Sequence, residues 1–168
     1  MGSGVSGLYV GTAGARSAAP VSAAVMSSKL VAWAQRKSSG MSNCQRRKFN
    51  TACVVYDEES GRYFYGRNRG IELGGNPKNP QLFGGKGIEG ILPSATLKDG
   101  LTVGQCAEVD AVNKALNAGA KLGNLTMMTI FADEGRGGRF GRPKCACPNC
   151  TYAFKGRIKY NHSGWEEA

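Results

Sequence analysis

The chain of 168 residues has almost no histidine, since His162 near its end is the only one. Metal sites and proton relays built from several imidazoles are therefore excluded, and any general acid/base work falls to a carboxylate or a thiol. Long apolar runs are missing as well. Hydrophobic residues make up 41% of the chain, yet none of its stretches approaches the roughly 20 consecutive apolar residues of a membrane-spanning helix, so a soluble protein without a membrane partner is expected. Residues 1–14 lack the basic start and apolar block of a secretory leader. No fixed period recurs, and the glycines gather around 2–14, 61–100 and 135–141, a distribution that spells long loops rather than a repeat array. Acidic residues are scarce, 12 against 22 lysines and arginines, for a net charge of +10. An excess of that size on a small domain points to a polyanionic partner, nucleic acid first, with simple solubility as the alternative use of the charge.

The length suits one compact domain. Residues 1–20 read as a flexible linker or the cut edge of a longer polypeptide, and 21–168 as a single domain. Apolar residues at helical spacing predict a packing helix over 21–37, closed by Ser38, Ser39 and Gly40. A basic stretch leads to 51–57, whose β-branched and aromatic content predicts a buried strand. Turn residues at 58–61 and a second strand at 62–67 complete a hairpin. The connection over 70–104 is long, and in a compact domain such a connection is usually functional; here it is expected to frame a pocket. Alanines 107, 111 and 115 beside Val109, Val112 and Leu116 predict a helix over 105–120. A central strand over 125–132 follows, bounded by Asp133, Glu134 and Gly135. Pro148 opens a short helix to Phe154, and 157–160 reads as one more short strand.

Two short motifs carry the chemistry. Cys147-Pro-Asn-Cys150 is a Cys-x-x-Cys pair at a helix start, where exposed N–H groups and the helix dipole favour thiolates. By itself this pair is equally a redox motif or half of a structural zinc site. Cys106-Ala-Glu108 opens the alanine-rich helix. A third thiolate from Cys106 would give zinc three protein ligands and leave the fourth tetrahedral position open, the mark of a catalytic site. Zinc brings the pKa of a bound water towards about 7, and Glu108 is the carboxylate placed to handle its proton. Cys145 stands close enough in sequence to contest the pair.

Cys-Ala-Glu at one helix start, then a strand, then Cys-x-x-Cys at another helix start, resembles the cytidine deaminase-like superfamily over residues 48–154. The resemblance implies a three-layer α/β/α fold with a central mixed sheet, an N-terminal β-hairpin and one zinc ion at two helix N-termini. It assigns Cys106, Cys147 and Cys150 as zinc ligands and Glu108 as the proton carrier in hydrolytic deamination of cytosine to uracil. It also implies that Asn68 holds the sugar or base and that Ala52, Cys53 and Ala107 lie along the base pocket, against plainer readings of Asn68 as a hairpin end and of Ala52 and Cys53 as core. The chain departs from the family in having Ala146 where proline commonly precedes the pair. More distantly, the chain is similar to deaminase toxins of bacterial polymorphic secretion systems, notably the YwqJ-like group. That likeness implies a secreted effector acting in a target cell's cytoplasm and an immunity protein as a partner; otherwise the protein would be cytoplasmic.

The charge favours a polymer over a free nucleoside, and the likeness to toxins favours DNA, single- or double-stranded, over RNA. Arg67, Arg69, Arg139, Arg142 and Lys144, with Lys78, Lys86 and Arg136, are expected as phosphate contacts, and Phe140 and Phe83 as stacking residues. Two rivals stand: a non-catalytic, four-thiolate zinc module that binds nucleic acid, and a deaminase of free cytidine or nucleotides.

Overall fold

A computed structural model describes residues 20–133 and 138–167. The expected linker, apart from Pro20, lies outside them, as do Glu134, Gly135 and Arg136. Strands β1 (Thr51–Asp57) and β2 (Arg62–Arg67) form the antiparallel hairpin. The Asp57 carboxylate shapes its turn by accepting from Glu59 N–H and the Ser60 hydroxyl, and Gly61 takes the left-handed conformation there, φ 73°. Strand β3 (Leu125–Phe131) runs antiparallel to β1, and β4 (Tyr160–Asn161) parallel to β3. The result is a mixed four-stranded sheet in the order β2-β1-β3-β4. The parallel step from β3 to β4 requires a crossover, and this crossover carries the second half of the cysteine motif.

Both faces of β1 and β3 are covered, which is why they read as continuous apolar runs rather than alternating ones. On one face Ala52, Val54, Met128 and Ile130 meet helix α1 (Ala23–Ser39) through Met26, Leu30 and Ala34. Ser22 caps α1, accepting from Val25 N–H at 3.2 Å, and Gly40 ends it. On the other face Cys53, Val55, Leu125 and Met127 meet helix α5 (Ala107–Asn117) and helix α6 (Pro148–Phe154). The layers are thus helix, sheet and helix, as expected of an α/β chain with a central mixed sheet.

Helix α5 lies close upon β2 because Gly66 has no side chain; a Cβ there would run into the Ala107 carbonyl and the Ala111 N–H.

Several elements differ from the sequence expectation. The basic stretch before β1 is a helix, α2 (Asn43–Lys48), and the long connection contains α3 (Gly70–Gly74) and α4 (Pro80–Phe83). Helix α5 begins at Ala107 because Cys106 is still extended, at φ −75° and ψ 154°. The last strand sits at Tyr160–Asn161, not at 157–160: Arg157 and Ile158 donate back to the Phe154 carbonyl and close α6 in a turn. Among the described residues, no helix is long and apolar enough to cross a membrane.

Candidate metal centre and its cavity

The two helix starts meet. Cys106 and Cys147 are the N-cap residues of α5 and α6, and neither side chain caps its own helix. Pro148 sets the first turn of α6 and brings Cys150 onto the same side one turn later. The three sulfurs lie within 4.8 Å of one another, with Cys106 Sγ 3.2 Å from Cys147 Sγ. Two thiolates on one tetrahedral zinc ion, each bonded at about 2.3 Å, stand roughly 3.8 Å apart, so Cys106 and Cys147 would share such an ion after moving apart by roughly 0.6 Å. Three sulfur donors suit soft or borderline ions. Cys145 is exposed and stays outside the trio.

The neighbouring sulfurs of Cys106 and Cys150, with the nearby N–H dipoles of Cys150 and Asn149, lower the Cys147 thiol pKa against the opposing effect of burial. Donation to Cys147 pushes Cys106 up, and contact with both sulfurs together with burial does the same to Cys150. Loading a metal onto three thiolates therefore releases protons.

Glu108 is only 2% exposed. Burial raises its pKa, followed by the Cys147 thiolate; its own N–H and the Lys144 ammonium act in the opposite direction. Cys150 Sγ lies 3.9 Å from its Oε1. Behind it the fully buried Thr129 hydroxyl faces Glu108 and Cys53 electrostatically without a hydrogen bond of normal geometry.

Above this cluster opens a cavity of about 950 Å³ with Cys106, Ala107, Glu108 and Cys147 in its lining. The long connection contributes Gly100, Leu101 and Thr102, and Gln105 follows just after it, so it does frame the pocket. Asn149, between two of the cysteines, fastens that connection: its Oδ1 accepts from Leu97 N–H at 2.8 Å and its Nδ2 donates to the Thr96 hydroxyl at 3.2 Å.

The remaining candidates divide. Asn68, Arg69, Arg139 and Lys144 line the cavity with Ala107. Asn68 has most of its amide committed elsewhere, however. Its Oδ1 accepts from Asn50 and Thr51 N–H, and its Nδ2 donates to the Lys48 carbonyl, leaving one N–H for a ligand. Arg69 pairs with Glu72, and Arg139 is bidentate to Asp133.

Ala52 is a correction: it faces α1, on the side of the sheet away from the cysteines, and its neighbour Thr51 lines the cavity instead. Cys53 faces α5 but is fully buried. Arg67 lies over the Phe49 ring, 5.0 Å from its centroid, and is not part of the lining. Arg142 is exposed and also outside the lining. Phe140 packs on the α1 cluster and Phe83 on the α5 cluster, so neither is a free stacking platform. Lys78 stands over the Phe83 ring, and Lys86 does not contribute to the lining. His162 stands outside the cysteine cluster, bonded through Nε2 to the Val21 carbonyl.

Sequence reasoning missed Arg46, Arg47 and Asn50 as cavity residues. The basic cluster 45–48 was visible, but no periodicity showed that it folds back as a helix beside the site. Comparison with known proteins gives no match to the chain among family models, curated proteins or solved structures.

Proposed function

We propose that the chain is a zinc-dependent deaminase converting cytosine to uracil in nucleic acid, DNA before RNA. The observation that carries this reading is the buried Glu108 carboxylate beside three clustered cysteine sulfurs, with Glu108, Cys106 and Cys147 in the lining of one cavity. Cys106, Cys147 and Cys150 would hold the metal. A fourth protein ligand is not at hand among the described residues, because Cys145 is exposed and His162 is spent on Val21; this favours an open catalytic site over a closed structural one.

A bound zinc ion supplies the Lewis acid that makes a water nucleophilic near neutral pH. Glu108 would take a proton from the attacking water and pass it to the ring nitrogen of the base, then take the proton of the hydroxyl so added and deliver it to the amine, which leaves as ammonia when the C–N bond breaks and the carbonyl forms. Burial and Lys144 act on its carboxyl in opposite directions, which suits a group that must both accept and donate. Ala107 offers a small apolar surface to the base beside the metal ligands. The cations in the lining, Arg69, Arg139 and Lys144, support a phosphate-bearing substrate over a free nucleoside. In the accompanying biological reading, the domain is an effector delivered into a rival bacterium's cytoplasm and restrained at home by an immunity protein.

The test is incubation of zinc-loaded protein with single-stranded DNA, duplex DNA, RNA and cytidine, followed by sequencing or chromatography for uracil. Glu108→Gln is expected to lower uracil formation by at least about 100-fold, the worth of a positioned acid/base group, with zinc content unchanged. Undiminished uracil formation by that variant would overturn the mechanism.

A further inference from the structure

We infer that α2 is a phosphate-binding arm, in which Arg47 grips a backbone phosphate of a single-stranded polynucleotide whose target base sits above Glu108. The inference rests on the deaminase reading and specifies how a polymer is held.

A helix of six residues is far below the length at which helices stand alone in water, and α2 buries none of its residues. It is ordered by polar ties at both ends. Ser42 and Gln45 form a reciprocal capping box, with bonds of 3.2 and 2.8 Å. Arg46 donates to the Ser38 carbonyl at 3.1 Å and to Asn43 Oδ1 at 2.5 Å. At the far end Asn68 Nδ2 donates to the Lys48 carbonyl at 2.7 Å, and the next residue, Phe49, is buried. Asn43, Arg46 and Arg47 then form part of the cavity wall. A segment fixed this firmly, with no apolar face to bury, presents its side chains to whatever enters the cavity.

The cations of the lining are not equally available. Arg69 is held by Glu72, Arg139 by Asp133, and Arg46 by Ser38 and Asn43. Lys144 lies close enough to Glu108 to act on its carboxyl and stands over the Phe131 ring. Lys144 has no ion pair or side-chain hydrogen bond but is engaged by that ring; Arg47 alone among them has no ion pair, side-chain hydrogen bond or ring contact among the described residues. An uncommitted guanidinium on a fixed scaffold suits the planar, bidentate recognition of phosphate, and no neutralising partner has to be displaced. The same geometry gives Asn68 a second reading, as the strap that holds the arm at the cavity.

The experiment measures binding of a fluorescein-labelled, cytosine-containing single-stranded DNA to the zinc-loaded full chain across a salt series, with uracil formation assayed separately. Arg47→Ala is expected to flatten the plot of log affinity against log salt by about 0.7 and to weaken binding about fivefold at 0.1 M salt, the counterion-release value of one phosphate contact on a single strand. Arg47→Lys should restore most of the slope. Lys121→Ala, an exposed cation at the opposite end of β3, should leave the slope unaltered. An Arg47→Ala slope equal to that of the parent overturns the arm, as does failure of the parent protein to bind the oligonucleotide; an acidic protein surface would then be the better occupant. A flattened slope without any uracil formation upholds the arm and sinks the deaminase reading, whereas uracil formation with an unaltered slope does the reverse.

Discussion

Asp110 is buried in α5 with its two carboxylate oxygens in different circumstances. Oδ2 accepts from Arg67 N–H at 3.0 Å and lies 3.6 Å from Lys114 Nζ, while Oδ1 has no hydrogen-bond partner. Burial raises its pKa, and Lys114 and Arg67 only partly offset the effect. A carboxyl raised on folding binds its proton more tightly in the native state, so its stabilising contribution is complete below the ordinary carboxylate value of about 4 and is lost as pH climbs through the folded value. Asp110→Asn keeps an acceptor for Arg67 N–H and removes the buried charge. The variant should therefore gain stability relative to the parent as pH rises from about 4 to 7, read as the difference between urea midpoints. The thiol site titrates in both proteins and cancels in that difference. A gap that moves the other way with pH would show that the Lys114 pair outweighs desolvation.

Single residues also show where the sequence could mislead. Asn68 stands at the hairpin end and invites the role of ligand contact, yet three of its amide's hydrogen bonds go to backbone at Asn50, Thr51 and Lys48. Amide chemistry is the same in either role, and only the fold of 48–51 decides between them.

At the scale of elements, the approach of α5 to β2 decides where Cys106 and Glu108 stand, because Cys106 is the N-cap of that helix and Glu108 lies in its first turn. The contact is backbone against backbone at Gly66, so the neighbours of an added methyl group cannot yield as a flexible side chain would. Gly66→Ala is expected to cost about 3 kcal/mol, the upper part of the range for overpacking, measured by denaturant unfolding. Gly123→Ala, where a Cβ meets nothing within 4 Å, should stay within about 0.5 kcal/mol of the parent. If Gly66→Ala proves equally neutral, α5 does not lie where the structure places it.

Legibility followed burial. β1, β2 and α6 were readable to the residue because apolar content, turn chemistry at 58–61 and Pro148 all mark their ends. α2 escaped because it buries nothing and so carries no hydrophobic period. α3 and α4, of five and four residues, are too short to show one. The side assigned to Ala52 failed for a different reason. Strand parity separates 52 and 54 from 53 and 55, but which set meets α5 depends on how helices are placed over a sheet covered on both faces. The cysteine trio was legible because its chemistry is local to two helix starts, whereas the α2 wall of the cavity was not.

For the molecule as a whole, the cluster of three cysteines is the junction of segments distant in sequence. Cys106 belongs to α5 and Cys147 and Cys150 to α6; Asn149 ties α6 to the 96–97 stretch, and Ala146 pairs with the tail through Gly164 and Glu166. The tail is tied again by Lys98 to Glu166. The core on the other face, where α1 meets β1 and β3, contains none of these residues. Metal bound at a hundred times its dissociation constant adds about 2.7 kcal/mol of stability, which in a chain of this size corresponds to roughly 5–10 °C in Tm. Stripping it with a chelator under reducing conditions should lower Tm by that amount, and the loosening should be uneven. Hydrogen exchange is expected to quicken in 94–106 and 144–166, which hang from the junction, while α1 and the β1–β2 hairpin retain the protection of their separate core. Zinc returned in stoichiometric amount should restore both quantities, and Cys150→Ser should resemble the stripped protein. Exchange that quickens evenly over the chain, or a Tm indifferent to the chelator, would mean that the three thiols pack as ordinary core and hold no metal.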